Sequence, residues 1–395
     1  MGISKKQLSI LFFCNLSISI LGSGEITLLP IYAVRLGADP AGTGVYIAIA
    51  FFALTLGTLS AGWISGRFHR HKLPIFIVAL INIPATWLMG QAASVGELTP
   101  ITAFHWFNVG LELSLVGILA GLSAGEKERG KVFGTLGLTV GLGGLIGNLG
   151  VGGLVDQLGF PIMFSVMAIF MALNPLAALL LTDQEIKPSA SQTASVQRLP
   201  GLGRSFYMLF TASVLIAVTT AFIGLFRSIE MDQLQFSSFE ISSTGAIGGL
   251  VSIPFPFVMG WLSDRLGRKV FLSLGYSSAF FSILMIVFSS VLWNFWVAVA
   301  LMKIAGGSNS IGNALVTDLV PRESVGKGLS VFGSATWIGN VIGYSIAGST
   351  LQVIGLTPGV VLGACLSLAA VGILLSIRIQ PAKSESLTIV LPKEG

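Results

Sequence analysis

Gly62-Trp63-Ile64-Ser65-Gly66-Arg67-Phe68-His69-Arg70-His71 returns 198 residues later as Gly260-Trp261-Leu262-Ser263-Asp264-Arg265-Leu266-Gly267-Arg268-Lys269, an interval close to half of the 395-residue chain. Each copy is a short basic turn held between two long apolar segments, and self-similarity at so long a period marks a duplicated chain. The repeat extends beyond the turns. Gly130-Lys131 matches Gly326-Lys327 at an offset of 196, where Gly143, Gly147, Gly152 and Gly159 also meet Gly339, Gly343, Gly348 and Gly355. Glycine at four-residue spacing lets helix backbones approach closely, which serves static packing and sliding contacts equally well.

Composition places the duplicated units in a bilayer. Hydrophobic residues make up 53% of the chain and charged residues only 10%, with a mean hydropathy of +0.87. That leaves too little polar surface to cover a soluble globule of this length. Cys14 and Cys365 both fall in apolar runs and read as small buried hydrophobes. Lys5 and Lys6 precede an apolar run with no small-residue cleavage site, so an uncleaved first membrane helix is expected.

Twelve apolar segments reach bilayer-spanning length. They are Ile10–Tyr32, Gly44–Ile64, Leu73–Ala92, Ile101–Leu122, Phe133–Leu154 and Pro161–Leu181, then Phe206–Phe226, Thr244–Leu262, Val270–Phe288, Trp293–Val316, Leu329–Leu351 and Pro358–Ile377. The expected organisation is a six-helix bundle over 1–181, a polar linker over 182–205, a second bundle over 206–377 and a tail over 378–395. With the N-terminus placed in the cytoplasm, 19 of the 22 Lys and Arg residues fall on that side; Arg35, Arg227 and Lys303 are the exceptions. Both termini are therefore expected to be cytoplasmic, at a cell membrane. The net charge of +5 is a topology signal, and no nucleic-acid partner is implied.

The pattern Gly260-x-x-x-Asp264-Arg265-x-Gly267-Arg268-Lys269 between segments eight and nine resembles the signature loop of the major facilitator superfamily. Twelve helices, a central linker and a copy of the loop in each half extend the resemblance over nearly the whole chain. It implies an all-α membrane fold of two pseudo-symmetric six-helix halves and secondary transport by alternating access. It also implies that Gly260, Asp264, Arg265, Gly267, Arg268 and Lys269, with Gly62, Arg67 and Arg70 of the first copy, form a conformational switch. The first copy departs from the pattern, with Gly66 in place of the acid and His69 in place of the second glycine. Asp264 is expected to accept hydrogen bonds at a helix N-terminus. Arg265 and Arg268 are expected to pair with carboxylates and helix-end carbonyls.

Ionisable groups inside a bilayer cost at least a few kcal/mol each and are functional candidates by default. Glu25, Glu112, Arg227 and Lys303 fall one each on segments one, four, seven and ten, the set that lines the central cavity in the family it resembles. Glu25 and Glu112 are candidates for proton coupling, and Lys303 for neutralising one of them or holding an anionic substrate. A static glutamate–lysine pair is the bland alternative. Arg227 is expected to snorkel toward the outer surface beside Glu230 and Asp232. Asn15, His105, Trp106, Asn108, Ser308, Asn309 and Asn313 are further cavity candidates, with His105 read as a packing residue.

The favoured function is proton-coupled export of small amphipathic, drug-like molecules by a monomer. The partners are a small-molecule substrate, protons and the lipid bilayer. The Arg-x-x-x-Gly and Gly-Pro patterns of drug-exporter branches are absent from segments four and five, where Trp106 stands four residues before Gly110. The alternatives are an importer or uniporter of a polar metabolite or organic anion, or a ligand sensor without transport. Gly125-Glu-Lys-Glu-Arg-Gly130-Lys131-Val132 ends in Val where a phosphate-binding loop needs Ser or Thr, so ATP-driven transport is unsupported. No enzyme motif, metal-ligand cluster or cofactor motif is present.

Overall fold

The computed structural model describes residues 3–68, 70–125, 128–183 and 201–377. Most of the expected linker (184–200), all of the expected tail, and His69 of the first basic turn lie outside the described residues. The helices run α1 (Lys5–Arg35), α2 (Pro40–Phe68), α3 (Lys72–Met89), α4 (Val95–Ser123), α5 (Arg129–Met171), α6 (Leu173–Leu179) and α7 (Gly203–Gln233). They continue as α8 (Ser238–Ser252), α9 (Phe255–Leu266), α10 (Arg268–Val287), α11 (Leu292–Gly307), α12 (Asn309–Leu319), α13 (Val325–Ile354) and α14 (Leu356–Ser376).

These elements make the twelve spans. Among the described residues, eight stretches are long and apolar enough to cross a bilayer individually, and α8 with α9 makes a ninth, bent by 43°. Pro254 stands at that bend, where its ring cannot sit in a continuous helix. The 51-residue stretch Arg129–Leu179 holds two spans, separated at Gly159 with φ 80° and ψ 169°. Gly355, its repeat partner, adopts φ 84° and ψ −178° and separates α13 from α14. This backbone region strains any residue with a Cβ, so the duplicated glycines mark the same turn in each half. The α11–α12 pair and α13 supply the remaining spans.

The two halves meet at one end and part at the other. "Inner" denotes the end bearing the basic turns, "outer" the opposite end. One buried apolar cluster joins the halves, with Phe51, Trp106 and Val151 from the first and Phe222, Ile241 and Tyr344 from the second. Toward the inner end each half has its own core, around Leu115, Leu119 and Val132 in one and Phe206, Leu315 and Leu374 in the other. The outer contacts are backbone-close: a Cβ on Gly348 of α13 would lie 2.8 Å from the Cα of Gly44 of α2. At the inner end, a Cβ at Gly62, Gly66, Gly134, Gly137 or Gly260 would meet nothing within 4 Å among the described residues, and Trp63 is 69% exposed. Cys14 is buried as expected, whereas Cys365 is exposed on α14, where an apolar thiol facing lipid carries no penalty.

Candidate functional site

The cavity between the halves has two chambers of about 620 and 290 Å³ that share Ser23, Ile26, Phe51, Val140 and Lys303 as walls. Glu25 lines the larger chamber and Arg227 the smaller. The first half thus contributes an acid and the second half two bases to one space.

Glu25 sits on α1 at 1% exposure. Its Oε2 accepts from the indole Nε1 of Trp106 at 3.3 Å and lies 3.3 Å from Nε2 of His105, off the hydrogen-bond direction, so this is an electrostatic approach. Oε1 has no partner among the described residues. A buried carboxylate oxygen left without a donor is costly unless a proton or a ligand completes it. His105 is held from behind, with Nδ1 3.4 Å from the hydroxyl of Thr86 on α3. His105 thus stands fully buried between Glu25 and Thr86, behind the chamber wall.

Arg227 departs from expectation. It does not snorkel outward; it is 5% exposed and faces the cavity. The reason is length: α7 runs on to Gln233, so Arg227 lies well inside the helix end. Its Nη2 donates to Ser228 Oγ at 3.1 Å, and the one Ser228 hydroxyl proton is shared between the Gly224 carbonyl of its own helix at 3.0 Å and the Thr27 carbonyl of α1 at 3.3 Å, a contact between the halves beside the site. Arg227 Nε has no partner among the described residues. The Lys303 side chain passes over Gly248 of α8, whose Cβ would lie 2.9 Å from its Cε. Aromatic rings close the walls, with Phe51 stacked on Tyr344 at 5.3 Å and edge-on to Trp106 at 5.1 Å.

Glu112 stands apart from this cavity. It is fully buried within the first half, where Oε1 accepts from Asn174 Nδ2 at 2.6 Å and Oε2 from Asn82 Nδ2 at 3.2 Å. Neither glutamate pairs with Lys303 among the described residues. Of the seven polar candidates, Asn15 and Trp106 line the cavity, while Asn309 bonds Thr336 at 3.1 Å and Asn108 bonds the Phe104 carbonyl at 2.8 Å.

The basic turns work within each half. Asp264 does not cap a helix N-terminus: it lies in the last turn of α9, its side chain 65% exposed, 3.4 Å from Arg268. Gly267 turns the chain with φ 104° and begins α10 one residue later, which carries Asp264 to the wrong side of the turn for capping. Arg268 is the hub: its Nη1 donates to both oxygens of Asp318 at 2.8 and 2.9 Å and to the Ala314 carbonyl at 2.9 Å, while its Nε and Nη2 reach Asp264 at 3.4 Å, so one planar guanidinium bridges two carboxylates. Among the described residues Arg265 pairs with no carboxylate; it stacks on Trp261 at 4.1 Å. Lys269 donates to the carbonyls of Leu375 and Ile377 at the end of α14. In the first half His71 occupies the Lys269 position, and Asp183 beyond α6 accepts from the backbone N–H of His71 and Lys72, both at 2.8 Å. Gly66, Arg67 and Arg70 are all exposed there.

The chain is similar over 320 residues to the lysosomal dipeptide transporter MFSD1 of Gallus gallus, at 27% identity, covering 75% of this chain and 70% of that protein. Its fold matches a bacterial homolog of the human lysosomal transporter Spinster in an inward-facing, occupied conformation, with a TM-score of 0.76 at 16% identity over 96% of this chain and 100% of that one. It also matches a POT family transporter in complex with 5-aminolevulinic acid, with a TM-score of 0.73 at 15% identity over 93% and 94% of the two chains. The Major Facilitator Superfamily model matches residues 11–229 and 205–390, and with it the twelve spans, the paired halves and the shared cavity: the chain belongs to the major facilitator superfamily of membrane transporters.

Proposed function

We propose that this transporter moves small zwitterionic solutes of dipeptide size into the cytoplasm, its basic turns facing that compartment across the cell membrane and the single chain working as a monomer. One observation carries the reading. Glu25 in the first half and Arg227 with Lys303 in the second face one cavity, and Glu25 and Arg227 each keep a buried polar atom without a partner among the described residues. An ammonium at Glu25 and a carboxylate at Arg227 or Lys303 would complete both charges and draw the halves together. The similarity to a dipeptide transporter points the same way. Export of amphipathic molecules is less well served, because a lipophilic cation leaves the two bases uncompensated.

Proton coupling is the second reading, favoured by the approach of His105 to Glu25. A proton on Glu25 supplies the same charge as a substrate ammonium, so the two compete for one carboxylate.

The test is uptake into proteoliposomes of alanyl-alanine, its N-acetyl form and its C-terminal amide, with and without a pH gradient. Free dipeptide should enter saturably in the parent protein. N-acetylation should raise KM by about 10-fold or more in the parent and have little effect in E25Q, as expected of one charge-assisted hydrogen bond. Amidation should behave likewise against R227Q. Acceleration by an inward-directed proton gradient, lost in E25Q, would establish coupling. Transport of lipophilic cations with no dipeptide uptake would return the protein to the export reading.

A further inference from the structure

At the outer end, the first turns of two helices are completed by the opposite half. Helix α8 begins at Ser238, and the N–H groups of its first turn have no partners within the helix. Ser237 Oγ accepts from the N–H of Glu240, and Glu240 returns the bond to the N–H of Ser237. The two N–H groups in between go to the other half. Asp156, near the outer end of the first span of α5, accepts from Ser238 N on Oδ1 and from Phe239 N on Oδ2, both at 2.8 Å.

The repeat places the same arrangement on α2. Position 352 lies 196 residues after 156, and positions 40 and 41 lie 198 before 238 and 239. Gln352 of α13 indeed accepts from Ala41 N on Oε1 at 3.1 Å. Asp39 accepts from Gly42 N on Oδ1 and from Gln352 Nε2 on Oδ2, the latter at 3.0 Å.

The two sites differ in one respect, and the sequence explains it. Ser238 has an N–H; its counterpart Pro40 has none. Where two N–H groups point outward, a two-oxygen acceptor with a charge suited to a helix N-terminus stands opposite. Where proline removes one donor, a single amide oxygen suffices, and the amide nitrogen is free to bond Asp39. The acceptor on one half matches the donor count on the other, at both sites independently.

We propose that Asp156 and Gln352 are paired latches that hold the outer gate of the transporter shut. Parting of the outer ends strips the first turns of α8 and α2 of their acceptors together. The inference rests on alternating access alone and holds whichever solute is carried.

The test follows thiol labelling in a C14A/C365A background with S23C as reporter, since Ser23 lines both chambers. A membrane-impermeant maleimide is added to the outer or the inner face of oriented proteoliposomes. D156A, which removes two charge-assisted hydrogen bonds, should speed outer-face labelling by about 10-fold or more, and slow inner-face labelling. Q352A should shift both rates in the same directions by a smaller factor. The decisive variant is D156Q/S238P, which transplants the α2 design onto α8. Ser237 is extended, as the residue before a proline requires, and the Ser238 hydroxyl makes no bond among the described residues that would be lost. D156Q alone should label faster than the parent from outside, and D156Q/S238P should return to within about twofold of it, a rescue that general destabilisation cannot produce. Outer-face rates for D156Q and Q352A equal to the parent would overturn the proposal. So would D156Q/S238P labelling at least as fast as D156Q. Both comparisons stand even where D156A fails to fold.

Discussion

A single methyl group at Gly348 should tip the transporter toward its outward-open state. The Cβ of an alanine there would lie 2.8 Å from Gly44 Cα and 3.0 Å from Gly44 N, and against the Pro40 carbonyl. Carbon atoms pack at about 3.5–4.0 Å, so α2 and α13 must separate by roughly 1 Å locally. The neighbour is the backbone of the first turn of α2, which cannot rotate aside as a side chain would. The wedge also sits between two features that tie the same helices together, the Gln352 contacts and the Phe51–Tyr344 stack. Overpacking of this kind costs about 1–3 kcal/mol, and the cost applies only while the outer ends touch. The ratio of outward-open to inward-open protein should rise about 5- to 150-fold. Spin labels at L158C and V353C, both exposed near the outer end of opposite halves, report the gap by electron–electron distance measurement. G150A is the control, because a Cβ at Gly150 meets nothing within 4 Å. Distance distributions for G348A that match those of the parent and of G150A would refute the reasoning.

Glu112 should matter for folding and not for solute recognition. N174A, which leaves one carboxylate oxygen buried without its 2.6 Å donor, should lower stability by about 2–4 kcal/mol in thermal unfolding. E112Q should retain the KM of the parent, and a KM shift as large as that of E25Q would count against this assignment. His71 should make the first turn of α3 acid-sensitive. Burial holds its imidazole below the ordinary 6.5 while Asp183 pulls the other way, so the folded state favours the neutral ring. Its contribution is complete above about pH 6.5 and declines as pH falls below that value. Amide exchange in that turn, corrected for intrinsic rates, should accelerate on acidification in the parent and stay flat in H71Q.

The duplication was legible because a basic turn between apolar segments is a local pattern, and so were the spans, because bilayer thickness sets their length. The direction of each side chain was less so. Trp106 and Glu112 lie on one helix, six residues apart, and therefore about 120° apart around its axis. Trp106 faces the cavity; Glu112 faces α3 and α6, and nothing in the sequence says which sector is which. Asn82 and Asn174, its partners, sit 30 and 62 residues away on other helices. Arg227 was misjudged because the helix outlasts its apolar stretch. Asp156 and Gln352 share a repeat position, but an acid and an amide do not look alike until the donors they face are known.

The divergence of the two basic turns makes physical sense once each is seen to brace its own half. The second turn holds the end of α14 with the Lys269 ammonium and α12 with Arg268. The first turn holds the end of its own sixth span by the opposite chemistry, an Asp183 carboxylate on the first N–H groups of α3. Asp183 thereby fixes the start of α3 in the half whose turn carries glycine at position 66. Among the described residues, the side-chain hydrogen bonds that cross between halves join Thr27 to Ser228, Asp156 to the start of α8, and Gln352 to Asp39 and Ala41. None involves the basic turns. Two halves, each tied within itself at the inner end and to the other only at the middle and outer end, can rock without breaking their internal braces. The energy separating the two states is then concentrated in a few outer contacts and in whatever the exposed inner faces of α2, α5, α9 and α13 gain on closing. Substitutions at Asp156, Gln352 or Gly348 should accordingly shift the equilibrium between states, whereas R268A should lower the stability of the second half in both states alike.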